Sequence, residues 1–309
     1  MARCFVTRKL PGSALDRLQA VHDVGIWPHR LPPTREQLVE HAAPVDGLLA
    51  LLTDRIDADL LDRTPNLKAI ANYAVGTDNI DLAGAAERGI KVGNTPDVLT
   101  DATADLAFAL LLAAARKLPE AARAVQDGDW PAWEPGRYLG AEVHGATLGI
   151  IGFGRIGRAV ARRGEGFEMT VIHTATSDQP GDSLQDILGR ADFVSLHAPL
   201  TPETHHLIDA EALATMRDTA ILVNTARGPL VDPSALKRAL QGGVIAGAAL
   251  DVTDPEPLPA DHPLLTAPNL LVIPHIGSAT RAAREKMADL AVDNLLAALD
   301  GQPMPHQVT

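Results

Sequence analysis

Residues 147–161 read Thr147-Leu148-Gly149-Ile150-Ile151-Gly152-Phe153-Gly154-Arg155-Ile156-Gly157-Arg158-Ala159-Val160-Ala161. An apolar run that enters a Gly-x-Gly-x-x-Gly turn and leaves it as a helix-forming stretch has the strand, turn and helix order of a dinucleotide-binding motif. The three glycines do different things. Gly152 permits the tight turn, Gly154 lets the backbone approach a pyrophosphate, and Gly157 lets the helix pack closely on the strand. The helix start offers N–H groups and the positive end of the helix dipole to the phosphates. Arg155 and Ile156 sit at that start, and Arg155 adds a charge-assisted contact.

Outward from the motif the chain keeps one rhythm. Short apolar runs at 148–151, 170–173, 193–196, 220–224, 247–250 and 270–273 alternate with helical stretches, as in a complete doubly wound sheet. Before it, runs at 4–7, 47–52, 67–71 and 90–92 alternate in the same way. The expected architecture is α/β, with two doubly wound parallel-sheet domains separated by a cleft: a Rossmann-type cofactor domain and a flavodoxin-like substrate domain.

Helical segments at 100–117 and 280–299 flank the second series, and Gly301 is a helix stop. The last helix is expected to return to the first domain. That makes residues 1–98 plus 281–309 a discontinuous substrate domain and 99–280 a dinucleotide-binding domain, with two strands of chain in the hinge. The segment 102–115 is apolar on nearly all sides and requires burial beyond one domain's surface, which predicts a homodimer.

Bulk properties narrow the function classes. A chain of 309 residues, 46% hydrophobic, suits about two domains. Its net charge of −12 and scattered basic residues speak against nucleic acid or an anionic membrane as partner. The apolar stretch 106–118 is broken by Arg116 and Lys117 and falls short of the roughly 18 residues of a membrane span. Residues 1–10 hold no apolar run of signal-peptide length, and Cys4 is the single cysteine, so a cytoplasmic, disulfide-free protein is expected. No repeat, low-complexity tract or metal-ligand set is assigned.

The turn after the second strand of the motif decides between cofactors. NAD-binding sheets usually carry an acid about 20 residues on to bind the ribose 2′-hydroxyl. Here the chain reads His173-Thr174-Ala175-Thr176-Ser177, with no carboxylate before Asp178. The hydroxyls of Thr174, Thr176 and Ser177 can donate to a 2′-phosphate, although no arginine stands in this turn. NADP(H) is favoured, with NAD(H) as the alternative.

Three later segments each end a predicted strand with polar groups: Asn224-Thr225-Ala226-Arg227-Gly228, Leu250-Asp251-Val252-Thr253-Asp254-Pro255-Glu256-Pro257, and Ile273-Pro274-His275-Ile276-Gly277-Ser278. Strand carboxyl ends line the ligand crevice of such sheets, so these groups should converge. A guanidinium can hold a carboxylate and polarise a carbonyl, an imidazole can protonate a developing alkoxide, and a carboxylate can orient that imidazole. Taken singly, each has a plainer reading, as a surface ion pair, a solvated loop acid or a structural histidine.

Together, in this order and spacing, the glycine motif, Asn-Thr-Ala-Arg-Gly, Asp-Val-x-x-x-Glu-Pro and Pro-His-Ile-Gly-Ser resemble the D-isomer-specific 2-hydroxyacid dehydrogenases over nearly the whole chain. The resemblance implies hydride transfer between a nicotinamide cofactor and a small 2-keto or 2-hydroxy acid. It implies Arg227 as substrate-binding and electrophilic arginine, His275 as general acid/base and Glu256 as its partner. Val75 and Gly76, in Ala74-Val75-Gly76-Thr77-Asp78-Asn79, would hold the substrate carboxylate, with Ser278 nearby. Thr103, Arg155, Ile156, Ala198, Pro199, Thr225, Ala226, Arg227, Asp251, His275 and Gly277 would surround the cofactor.

Within the family, 95–101, 251–259, 269–280 and 301–305 look like the glyoxylate/hydroxypyruvate reductases, a group that usually prefers NADPH. Trp133 matches a tryptophan that in such reductases reaches the neighbouring subunit's active site, against the plain alternative of an ordinary interface or core residue. Two departures stand out: the arginine missing from the 2′-phosphate turn, and Glu168 where the family commonly has glycine. A phosphite, formate or D-lactate dehydrogenase remains open, since Arg227 serves any small anion. So does a dinucleotide-sensing regulator, although the chain has no extended polar tail or basic patch.

Overall fold

A computed structural model describes residues 1–309. In chain order the elements are β1 (Arg3–Val6), α1 (Ala14–Gln19), β2 (Asp23–Ile26), α2 (Arg35–Ala42), β3 (Gly47–Ala50), α3 (Ala58–Asp62), β4 (Ala69–Asn72), α4 (Leu82–Glu87) and β5 (Lys91–Gly93). Then come α5 (Thr100–Ala115), α6 (Leu118–Gln126), β6 (Thr147–Ile151), α7 (Arg155–Glu165), β7 (Thr170–His173), α8 (Leu184–Arg190), β8 (Phe193–Leu196), α9 (Ala210–Thr215), β9 (Ile221–Asn224), α10 (Pro233–Gln241), β10 (Gly247–Leu250), β11 (Leu270–Val272) and α11 (Arg281–Leu299). They form two compact units, Met1–Leu99 with Ala279–Thr309, and Thr100–Ser278.

The first unit is a parallel sheet in the order β2-β1-β3-β4-β5, the flavodoxin-like arrangement. Its central strands β3 and β4 are buried along their whole length, as parallel strands covered on both faces must be. β2 escapes the sequence reading because Asp23-Val24-Gly25-Ile26 carries only two apolar residues and lies on the sheet edge, alternately exposed. α11 starts at a Thr280 cap, packs on β3, β4, β5 and α1, and ends before Gly301 at φ 76°. Its Asn294 is fully buried: Nδ2 donates to Asn94 O at 2.8 Å and Oδ1 accepts from His306 N at 2.9 Å.

The second unit is an all-parallel Rossmann-type sheet in the order β11-β10-β9-β8-β6-β7. Strand order reverses between β6 and β8, and a ligand crevice opens outside the strand ends at such a point. Beyond β7 a single bridge, Thr174 to Asp182, stands in place of a further strand. One face is covered by α5 and α7, with Phe108, Leu111, Val160 and Phe153 in its core. The other is covered by α8, α9 and α10, with Ile187, Leu213 and Leu236.

The expected helix 100–117 ends at Ala115, because Lys117 adopts φ 51° and α6 starts anew at Leu118. α5 packs on α7, β9, β10 and β11, and Ala104, Ala107, Leu110 and Leu111 are buried inside this one unit. On its other side Ala102, Leu106, Leu112, Ala113 and Ala114 are half-buried and Ala109 is exposed. No helix is long and apolar enough to cross a membrane.

Candidate active site

The glycine turn leaves β6 at Gly152, whose φ of 95° favours glycine strongly. A Cβ there would run into the backbone of His197 and Ala198, just past β8. One at Gly157 would strike Gly152 O, so the third glycine seats the helix on its own turn. Gly154 has open space around its Cβ position and begins α7 with no side-chain cap, so first-turn N–H groups remain for an anion. At the end of β9, the Thr225 hydroxyl is buried without a hydrogen-bond partner. A cradle that a methyl group would fill, an uncapped helix start and an orphaned hydroxyl together fit a dinucleotide.

Ala198 and Pro199 follow β8 directly. The preceding His197 donates its N–H to Ile151 O at 2.7 Å, and its Nε2 lies 2.8 Å from Ser195 Oγ. Burial pulls the His197 imidazole down to about 4, so it is neutral at pH 7.

The ends of β9, β10 and β11 are laced together. Asp251 N donates to Asn224 O at 2.8 Å, and His275 N donates to Asp251 O at 2.8 Å. Beyond β9, Asn224 Nδ2 holds Arg227 O at 2.8 Å and Asn224 Oδ1 accepts from Ala226 N at 3.0 Å. The next residue, Gly228, lies so close to Thr253 that a Cβ would overlap its carbonyl. The Arg227 loop thus abuts the segment leading to Glu256, and Arg227 Nη1 donates to Ala226 O at 2.8 Å.

His275 follows β11 at φ 50°. Its Nδ1 is 2.6 Å from Glu256 Oε1, so Nδ1 carries the shared proton and Nε2 is the nitrogen left for chemistry. The buried Asp251 carboxylate holds the turn behind it, accepting from Ile276 N at 2.6 Å and Gly277 N at 2.8 Å. Burial raises the Asp251 carboxyl above the usual range. A Cβ on Gly277 would sit 3.4 Å from the Thr103 side chain, which places Thr103 of α5 beside the same turn. Ser278 ends the unit.

In the turn after β7, Thr174 Oγ1 accepts from Gly152 N at 2.9 Å, tying this turn to the glycine turn. Thr176 Oγ1 donates to Asp178 Oδ1 at 2.7 Å. Sequence reading missed Arg158, which reaches the same carboxylate from α7 with Nη2 at 2.9 Å from both oxygens. Its signal was available, because Arg158 lies one helical turn past Gly154, on the helix that starts at the phosphates.

Val75 and Gly76 belong to the first unit, in the turn after β4. Ala74 O accepts from Thr95 N at 2.9 Å, Val75 O from Asn94 Nδ2 at 2.7 Å, and Gly76 O from Asn72 Nδ2 at 2.9 Å. Asn72 is itself gripped by Asn79, whose Nδ2 also donates to Leu51 O at 3.1 Å and Asp54 O at 3.0 Å. The three carbonyls of this turn are thus each held by a donor within the first unit. These asparagines also escaped the sequence reading.

A family model described as D-isomer specific 2-hydroxyacid dehydrogenase, NAD binding domain, matches residues 108–277. A glyoxylate reductase of Korarchaeum cryptofilum is 46% identical, over 99% of this chain and 95% of its own length. Among solved structures, a protein from Thermus thermophilus is 51% identical with a TM-score of 0.94, over 99% of this chain and 100% of its own. The NADPH-dependent glyoxylate/hydroxypyruvate reductase of Sinorhizobium meliloti, solved with NADP and malonate, is 33% identical with a TM-score of 0.86, over 99% of this chain and 96% of its own.

Proposed function

The chain belongs to the D-isomer-specific 2-hydroxyacid dehydrogenase family, and on that premise we propose that it reduces glyoxylate to glycolate and hydroxypyruvate to D-glycerate, using NADPH in preference to NADH. The observation that carries the reading is the His275–Glu256 pair at 2.6 Å, at the strand ends that also present Arg227. Glu256 orients the ring and stabilises the imidazolium, while Nε2 delivers a proton to the substrate's carbonyl oxygen. Arg227 holds the carboxylate and polarises the carbonyl, and the Val75 and Gly76 amides take carboxylate oxygens. When bound, the reduced nicotinamide supplies the hydride that reaches C2. Ser278 is assigned to the substrate. Thr103, Gly152, Gly154, Arg155, Ile156, Gly157, Ala198, Pro199, Thr225, Ala226, Asp251 and Gly277 are assigned to the dinucleotide, and Thr174, Thr176 and Ser177 to its 2′-phosphate.

The NADPH preference rests on the absence of an acid at Thr174 to Ser177. A homodimer is part of the same reading, supported by the exposed Leu118, Val125, Trp130, Trp133 and Leu139 in one stretch of chain, a large apolar surface for a monomer to leave wet. The buried, unpaired Cys4 thiol suits the reducing conditions of a cytoplasmic enzyme.

The test is a panel of glyoxylate, hydroxypyruvate, pyruvate, phosphite and formate, each with both nicotinamide cofactors in the matching redox state. Fast glyoxylate and hydroxypyruvate reduction is expected, and His275→Ala should lower kcat by roughly 10²–10⁴-fold. Oxidation of phosphite or formate as the dominant activity overturns the substrate assignment. Undiminished turnover in His275→Ala overturns the mechanism.

A further inference from the structure

We infer that Arg158 and Asp178 form a charge-exchange selector that sets the balance between NADPH and NADH, with Arg158 as the phosphate-binding arginine that the turn after β7 lacks. The inference rests on reading the 152–157 turn as the dinucleotide site. On such a sheet the adenosine ribose meets the turn after the second strand, here Thr174 to Asp178.

Arg158 is the guanidinium hydrogen-bonded to that turn, and it is held in position. Its Nε donates to Phe153 O at 3.1 Å, and its guanidinium carbon lies 5.3 Å from the centre of the Phe153 ring. That ring is stacked on His173, the last residue of β7, at 3.6 Å and an interplanar angle of 5°. His173 Nε2 in turn lies 3.3 Å from Gln179 Nε2, across the turn. The arginine is therefore aimed by an aromatic stack instead of by its own flexible stem, which reduces the ordering cost of a new contact.

Asp178 is the occupant of this guanidinium, taking Nη2 on both oxygens and the Thr176 hydroxyl on one. These two donors hold its carboxyl below the usual carboxylate range. Its side chain is 64% exposed and free to turn into solvent, whereas that of Arg158 is 38% exposed. A 2′-phosphate carries more charge than a carboxylate and three acceptor oxygens. It takes over Arg158 and Thr176 when Asp178 yields them. A 2′-hydroxyl has no charge to displace the carboxylate and can donate to it, leaving the ion pair intact. Arg158 favours the phosphate and Asp178 opposes it, by competition and by like charge.

The experiment is equilibrium titration of the full chain with NADPH and NADH, followed by nicotinamide fluorescence. Calorimetry with adenosine 2′,5′-bisphosphate against adenosine 5′-monophosphate accompanies it, and thermal melts verify that each variant folds. Arg158→Met should weaken NADPH and the bisphosphate by about tenfold or more, the scale of one charge-assisted hydrogen bond, and leave NADH within about threefold. Asp178→Asn should tighten NADPH by roughly threefold to tenfold with little change for NADH. Equal losses for both cofactors in Arg158→Met, or no gain of NADPH in Asp178→Asn, overturn the selector. If the wild type binds NADH more tightly than NADPH, the preference proposed above falls, but the opposite shifts of the two variants still judge the pair. If no dinucleotide binds the wild type, the reading of the glycine turn falls first.

Discussion

Glu256 fixes which nitrogen of His275 is available, and this gives it an effect beyond charge. Glu256→Gln keeps the side chain's shape but removes the charge that supports the doubly protonated ring, and an amide N–H turned towards Nδ1 opposes the second ring proton, so the imidazolium that donates from Nε2 is disfavoured. Steady-state kinetics should show kcat down by about 10²-fold or more with KM changed far less, because the loss falls on the transition state. At His197 the consequence is in stability. An unfolded imidazole takes up a proton near pH 6.5, whereas the buried one waits until about 4. The unfolded chain thus binds more protons in that window, and stability present above pH 6.5 drains away as pH falls towards 4, by up to about 3 kcal/mol. Chemical melts of wild type and His197→Gln across this range should show a shallower pH dependence in the variant. The placing of Arg227, Glu256 and His275 past the ends of β9, β10 and β11 was legible because each follows a recognisable apolar strand by a few residues. Asn72, Asn79 and Asn94 were not, because an amide that satisfies backbone carbonyls looks, in sequence, like any polar residue in a loop.

The turn between β6 and α7 joins two strands to one helix in the smallest possible space. Gly152→Ala places a methyl group against the backbone of residues 197 and 198, at a φ that alanine tolerates poorly. Dinucleotide titration should show binding weakened by at least about tenfold, and melting should fall, since strained backbone of this kind costs about 1–3 kcal/mol. Strands were legible where their apolar residues run together. β3, β4, β8, β9 and β10, buried throughout, read as continuous apolar runs, and the structure moves their ends by one or two residues at most. β2 on the edge was invisible for the opposite reason. The helix break at Lys117 has no glycine or proline at the break itself, so the expected helix overran Ala115 by two residues, and α6 beyond it was not read in the sequence.

For the molecule as a whole, the predicted homodimer draws on the exposed apolar side chains of 118–139 and on the side of α5 that its own unit leaves half-buried. Light scattering should give twice the chain mass, and Trp130→Ala with Trp133→Ala should shift it towards the monomer. A wild-type monomer at micromolar concentration would count against the exposed stretch 118–139 as an interface. The alternation of strands and helices, β2 apart, was readable from one glycine motif and the spacing around it, whereas what covers a surface leaves no period in a sequence.

The return of α11 to the first unit also carries a consequence for biosynthesis. β3, β4 and β5 are made early, but the helix that packs on them leaves the ribosome only after all of Thr100–Ser278. At about 5–20 residues per second that delay is on the order of ten seconds or more. During it the second unit can complete itself, while the first waits with an apolar sheet face bare and Asn94 O without its Asn294 donor. The last-made helix therefore closes the first-made sheet, and a chain that terminates early leaves the nascent unit as a substrate for chaperones.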